Sequence, residues 1–173
     1  MFARVFLCAP LMGVAGVASA QTQPAPAPPG PANQPLTPEQ RAAAEKQNQE
    51  LAQYAESLVQ MIDNGQSGQV WDQASNVAKQ SVSRATFVEA IKASRADLGT
   101  VASRKVIGVT HETSKGGKLP AGNYISVNFA TQFSKESKPL RELVSFHEDS
   151  DHKWRLSGYH LFTPAGGTPT AKR

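Results

Sequence analysis

The stretch from 122 to 162 constrains the fold most, because apolar and polar side chains alternate there in three segments separated by turn-forming residues. Alternation with a period of two is typical of β-strands that bury one face. Three strands joined by short turns form an antiparallel meander with one apolar face, and such a face needs a cover. The apolar positions are Ile125, Val127, Phe129 and Phe133, then Val144 and Phe146, then Trp154, Leu156 and Phe162.

The segments upstream of the meander repeat their apolar residues every three or four positions, which indicates amphipathic helices. A long helix is predicted from Glu39 to about Asn64, with Thr37 as its N-cap and Pro38 in the first helical position. Its turns 41–49 carry no large apolar residue and are expected to stay solvated. Ala55, Leu51, Tyr54, Leu58 and Ile62 form its apolar stripe.

Two further helices and one further strand are predicted before the meander. Val70, Trp71, Ala74, Val77 and Ala78 form a single second helix, and Ser83 caps a third helix that stops at Gly99. The segment 101–110 is predicted as a strand from its β-branched residues. The predicted fold class is therefore α+β, with N-terminal helices packed on a four-stranded antiparallel meander.

The first twenty residues have the pattern of a secretory signal peptide. Arg4 precedes an apolar run, and Ala18-Ser19-Ala20 supplies the small residues needed before cleavage. We therefore expect a protein exported to the periplasm or secreted. The only cysteine, Cys8, lies within this segment, so the mature chain cannot form a disulfide or a cysteine metal site.

The sequence predicts four regions, namely the signal peptide 1–20, a spacer 21–38, one domain 39–163 and a disordered tail 164–173. Seven prolines in the spacer favour an extended, mobile segment. After the signal no apolar stretch is long enough to span a membrane. The formal charge of +4 is scattered rather than concentrated in a basic run, so no nucleic-acid partner is expected.

Several short motifs occur in a fixed order between residues 52 and 162, namely Trp71-Asp72-Gln73-Ala74-Ser75, Arg95, Leu98-Gly99, Arg104, Leu119-Pro120, Gly122, Tyr124, Glu142, Trp154-Arg155 and Gly158-Tyr159. Together these motifs resemble a bacterial family known as domain of unknown function 4019. The resemblance implies a periplasmic or secreted domain with a cystatin-like or NTF2-like arrangement of helices on a curved sheet, and it implies no assigned activity. Two departures are a turn at 149–152 without the expected Asp-Gly pair and a phenylalanine, Phe87, where a tryptophan is expected.

Five residues are candidates for ligand binding: Arg95, Arg104, Tyr124, Arg155 and His160. The three arginines either cluster as an anion or carboxylate site, since guanidinium groups donate paired hydrogen bonds, or form surface ion pairs with Asp97, Glu142 or Glu148. We favour the ion pairs. Trp71 and Trp154 are expected in the core rather than in a pocket.

No catalytic residue, metal site or cofactor site is predicted, because no motif for nucleophilic, zinc or phosphate chemistry is present. His147 and Glu148 are adjacent in a strand and point to opposite faces, which disfavours a shared metal ion. His160 is expected to be partly buried, in step with Trp154 and Phe162.

The sequence therefore favours a non-enzymatic binding module for a small ligand or an envelope protein. The alternative is a pocket enzyme in which His160 or Tyr124 acts with a nearby carboxylate as acid and base.

Overall fold

The structure, a computed structural model, describes residues 35–163. The chain divides into two units, Met1–Pro35 and Leu36–Arg173, and the description below concerns the second. The predicted signal peptide, most of the spacer and the tail 164–173 lie outside the described residues. The elements are α1 (Pro38–Asp63), α2 (Ser67–Asp72), α3 (Asn76–Ser81), α4 (Arg84–Arg95), β1 (Val101–Ser114), β2 (Gly122–Phe133), β3 (Leu140–Glu148) and β4 (Trp154–Phe162).

Helix α1 begins and ends where the sequence pattern predicts. The Thr37 side chain accepts from Gln40 N, and the Gln40 side chain accepts from Thr37 N, so the two residues form a capping box. At the other end Gly65 has a φ of 76°, a left-handed conformation that glycine adopts without strain. The buried face is confined to the second half of the helix and consists of Leu51, Ala55, Leu58, Val59 and Ile62.

The prediction of a single second helix is wrong, because the segment forms two helices, α2 and α3, separated by residues 73–75. Ser75 N donates to Leu156 O of β4 over 2.8 Å, and Ser75 Oγ accepts from Ala78 N over 3.2 Å. In the first bond the Ser75 amide pairs with the sheet and so cannot continue α2. In the second bond the Ser75 side chain caps the new helix α3. The apolar periodicity continues across this break, which is why it suggested one helix.

Helix α4 begins after the predicted cap, Ser83, whose side chain accepts from Thr86 N. The helix ends at Arg95, but the chain stays close to the sheet, so Leu98 is still buried. Gly99 follows with a φ of 78°. The sequence therefore predicted both ends of this segment within a few residues.

The four strands form one antiparallel sheet in the order β1-β2-β3-β4, as predicted. Helices cover one face, where Val127, Phe129, Val144 and Phe146 share a core cluster with the buried residues of α1. Burying each such side chain stabilises the fold by about 1.5–3 kcal/mol. The arrangement is an α+β domain whose core needs no covalent cross-link.

The register of β4 differs from the prediction because the β3–β4 pairing shifts at Ser145 and Phe146. Ser145 pairs with Gly158 while Phe146 pairs with Leu156, so Ser157 is an extra residue in β4. An extra residue exchanges the two faces of all that follows. Leu161 is therefore buried, His160 is exposed and Phe162 is 40% exposed, so the predicted partial burial of His160 is wrong.

Both tryptophans are half-buried rather than wholly enclosed. Trp154 packs against the main core cluster, as predicted, but one side of it borders a cavity. Trp71 donates from Nε1 to Val82 O over 3.3 Å, and the Lys79 ammonium lies 5.5 Å from its ring centre.

Candidate functional site

Glu142 of β3 is wholly buried on the sheet face that the helices cover. Its Oε2 atom accepts from Arg104 Nε and from Thr131 Oγ1, each over 2.7 Å, and its Oε1 atom accepts from the Tyr159 hydroxyl over 2.7 Å. Arg95 Nη1 also donates to Oε1 over 3.1 Å. A buried carboxylate is tolerated only with such complete pairing.

Asp63, at the end of α1, bridges the same two arginines from the other side. It accepts from Arg104 over 2.8 Å and 3.1 Å, and it pairs with Arg95 Nη2. Two arginines and two carboxylates compensate each other, so the set is close to neutral. Because its members come from α1, α4, β1 and β3, this ionic network ties the ends of two helices to the sheet.

The ionic network changes the proton affinity of its members. Burial alone would lower the pKa of Arg104, but its bonds to Asp63 and Glu142 outweigh burial and raise that pKa above its usual value. Burial raises the pKa of the Tyr159 hydroxyl strongly, and the Glu142 charge adds to the rise. The tyrosine therefore stays protonated and remains a donor to Glu142.

The predicted binding residues fall into separate places. Arg95 and Arg104 meet in the ionic network, and Glu142 is the partner that the sequence named among three possibilities. Arg155 is elsewhere: it donates to Asp149 over 3.0 Å and to Asp151 over 2.8 Å, two partners that were not predicted. The three arginines therefore do not form one anion site.

Tyr124 and Arg155 both pair in register with His147 of the inner strand β3. Tyr124 donates its hydroxyl to Pro120 O over 3.0 Å, and His147 Nδ1 lies 2.9 Å from Asp149 Oδ1. His147 Nε2 is buried without a partner among residues 35–163 and packs against Gly122. Glu148, by contrast, bonds to Asn123 and His152, so adjacent residues of β3 have different partners.

The two residues named for an alternative enzyme site, Tyr124 and His160, each line a different cavity. The hydroxyl of Tyr124 is bound to a backbone carbonyl, and burial raises its pKa, with the Glu112 charge adding to the rise. His160 is exposed with its ring edge against Phe162. Neither side chain shares a hydrogen bond with a carboxylate of residues 35–163.

A cavity of about 290 Å³, here called the helix cavity, opens beside the ionic network between α1, α2 and α4. Its walls combine apolar side chains with two cations and one carboxylate. The helix cavity is lined by Ile62, Asp63, Gly65, Ser67, Val88, Ile91, Lys92, Arg95 and Ala96.

Both cations of the helix cavity keep donors to spare. Arg95 has five N–H hydrogens, and three bonds, to Glu142, Tyr159 and Asp63, leave two without an acceptor in the described part of the chain. Lys92 is exposed and has no partner within residues 35–163. Sequence reasoning missed this site because only its two cations, three residues apart in α4, are close in sequence, whereas its walls come from three helices.

Residues 35–163 contain neither a cluster of metal-ligating side chains nor a helix suited to crossing a membrane. No group of three or more His, Cys, Asp or Glu residues within 35–163 is placed to hold a metal ion. Within the same residues, no helix has the length and apolarity required to cross a bilayer.

The fold and the site define a class: an α+β domain with a helix-covered antiparallel sheet and a small cavity among its helices. Residues 54–159 match the family described as "Protein of unknown function (DUF4019)", and the chain belongs to that family. The match covers the whole of the ionic network and all residues lining the helix cavity. Neither a curated protein nor a solved structure was found to match.

Proposed function

We propose that this chain is an exported, non-enzymatic binding module whose helix cavity holds a small carboxylate with an apolar body. The observation that supports it is that Lys92 and Arg95, which both have donors without partners in residues 35–163, line one cavity whose remaining wall is largely apolar. A guanidinium and an ammonium favour an anionic head group, and Ile62, Val88 and Ile91 favour a hydrocarbon body.

The charge balance supports an anion rather than a cation. The two arginines and two carboxylates of the ionic network cancel, and Lys92 adds one uncompensated positive charge at the cavity. The volume of about 290 Å³ is at the lower limit of known ligand sites, which favours a ligand of few carbon atoms.

Calorimetric titration with octanoate tests this proposal. Octanoate is expected to bind and to raise the unfolding temperature, whereas acetate, which lacks the apolar body, and octyltrimethylammonium, which carries the opposite charge, are expected to do neither. Lys92→Gln should weaken octanoate about fivefold, corresponding to about 1 kcal/mol. Lys118→Gln is the matched control, because Lys118 lies in the β1–β2 connection, at the opposite end of β1 from Arg104 of the ionic network.

Equal binding of octanoate and octyltrimethylammonium would show that only apolar contact is involved and would refute the site. Equal affinity of the Lys92→Gln and Lys118→Gln variants would refute the role of Lys92.

The export part of the proposal rests on the pattern of residues 1–20. Expression of the full chain in a bacterium should yield a periplasmic or secreted product that begins at Gln21, as read by mass spectrometry of the intact protein. A cytoplasmic product that retains Met1–Ala20 would refute it.

A further inference from the structure

A second cavity, here called the tryptophan cleft, lies where one end of the sheet meets the first half of α1. It has a volume of about 340 Å³, and its lining includes Gln47 of α1, His111 and Thr113 of β1, Asn123, Glu148 and Trp154. A neighbouring hollow of about 410 Å³ shares Gln47 and Trp154 with it. The indole of Trp154 therefore borders two adjoining spaces.

A chain of hydrogen bonds crosses the sheet at this end and fixes the polar groups of the cleft. Thr113 Oγ1 donates to Asn123 Oδ1 over 3.0 Å, and Asn123 Nδ2 donates to Glu148 Oε2 over 3.0 Å. His152 Nδ1 lies 3.1 Å from Glu148 Oε1. The bonds from Asn123 and His152 lower the pKa of the Glu148 carboxyl, so it stays an acceptor at neutral pH.

Trp154 supplies the apolar part of the cleft. It packs against the core on one side, so its orientation is fixed. Its Nε1 donor has no partner among residues 35–163. A fixed ring with a free donor at its rim can stack on an apolar surface and donate to an adjacent oxygen.

The charges of the tryptophan cleft favour a neutral ligand. None of the described residues lining the 340 Å³ cavity is Lys or Arg, which disfavours an anion. The one lysine of the neighbouring hollow, Lys46, lies 3.8 Å from Glu50 of the same hollow. Two carboxylate residues line the cavity. Both oxygens of Glu148 already have partners, and Glu112 alternates with His111 and Thr113 in β1, so it faces the other side of the sheet. Both facts disfavour a bare cation.

A pyranose ring meets these demands, because it has an apolar C–H face that stacks on an indole and a rim of hydroxyl groups for amides and carboxylates. We propose that the tryptophan cleft binds one or two sugar units of a glycan. This site is independent of the helix cavity, so either proposal can fail alone.

The test follows the fluorescence of Trp154 in the full chain carrying Trp71→Phe, which leaves one indole. Titration with chitotriose or cellotriose should give a saturable shift of emission, whereas choline and octanoate should give none. Gln47→Ala should weaken saccharide binding at least threefold, because Gln47 lines the cleft and its side chain has no hydrogen bond within residues 35–163. Gln49→Ala, an exposed position on the same helix, should leave the affinity unchanged.

Saturation-transfer NMR with the unaltered chain repeats the titration without the Trp71 substitution. The proposal is overturned if neither saccharide binds, if choline binds more tightly than both, or if Gln47→Ala and Gln49→Ala have equal effects.

Discussion

Arg104 Nε donates to Glu142 Oε2 over 2.7 Å, and the carboxylate that it reaches has no exposed surface. The same carboxylate also accepts from Arg95 and Tyr159. One side chain of β3 therefore connects β1, α4 and β4. Removing one member of such a set costs more than the set contributes, because a buried charge is left uncompensated.

The Glu142→Gln substitution is expected to lower the free energy of unfolding by about 3–5 kcal/mol. The amide keeps the shape of the side chain but leaves the two arginines with Asp63 as their only carboxylate. Urea unfolding followed by circular dichroism measures the loss. Glu89→Gln, at an exposed position of α4, is the control and should change stability by less than about 0.5 kcal/mol.

Alkaline pH should destabilise the protein through Tyr159. Its pKa is raised in the folded state, so the unfolded chain loses the proton first, at a pH of about 10. The contribution of Tyr159 to the free energy of unfolding is then fully present below that pH and falls as pH rises further, by at most about 1.4 kcal/mol per pH unit. Tyr159→Phe should remove this part of the alkaline slope, although it lowers stability at pH 7 by losing the bond to Glu142. Unfolding curves between pH 8 and 11 measure both effects, and an unchanged slope would contradict the assignment.

Acid should weaken the turn between β3 and β4. Bonds from Arg155 lower the pKa of the Asp151 carboxyl, so the folded state keeps Asp151 ionised after the unfolded chain has begun to take up protons. This contribution is present above a pH of about 4 and is lost as pH falls through the lower folded value. Asp151→Asn should therefore flatten the fall of the unfolding temperature between pH 5 and 2.5. A parallel curve for the variant would show that Asp151 is not responsible.

Gly122→Ala should destabilise the sheet because of one steric contact. A Cβ atom at Gly122 would lie 2.4 Å from His147 Nε2, and the φ of 149° also disfavours a side chain. The expected loss is about 1–3 kcal/mol. Gly116→Ala is the matched control, since Gly116 has a φ of 101° but open space around it, and its loss should reflect backbone strain alone. Adding His147→Ser should restore part of the Gly122→Ala loss if the clash is its cause.

Because of the extra residue in β4, the neighbouring residues His160 and Leu161 should contribute very differently to stability. Leu161→Ala should cost about 2–4 kcal/mol because Leu161 packs with Leu98, Phe133 and Leu140. His160→Ala should cost less than about 0.5 kcal/mol because His160 is exposed. Equal losses in thermal unfolding would mean that the strand keeps the simple alternation of its sequence.

The sequence was sufficient where a pattern is local. The cap at Thr37, the apolar stripe from Leu51 to Ile62 and the alternation around Phe129 each depend on neighbouring residues, and the structure confirms them. The α+β class followed from these patterns alone.

The remaining features depend on pairs that are distant in the chain. Sequence reasoning named Glu142 as one of three possible partners of the arginines, but no residue near it in the chain indicates that it is buried or that Arg95, 47 positions away, bonds to it. The bond from Ser75 to Leu156 interrupts a helix from outside it, and the pairing of Ser145 with Gly158 decides the faces of β4. Such effects appear only once the strands and helices are assembled.

Ser157 also determines which kinds of sequence change β4 can absorb. Deleting Ser157 would remove the bulge and leave Leu161 on the buried face, because Gly158 would then occupy the single outward position after Leu156, whereas deleting a residue after the bulge would exchange the faces of all that follows. Across the family, loss of one residue should therefore be tolerated more often at this point than elsewhere in β4.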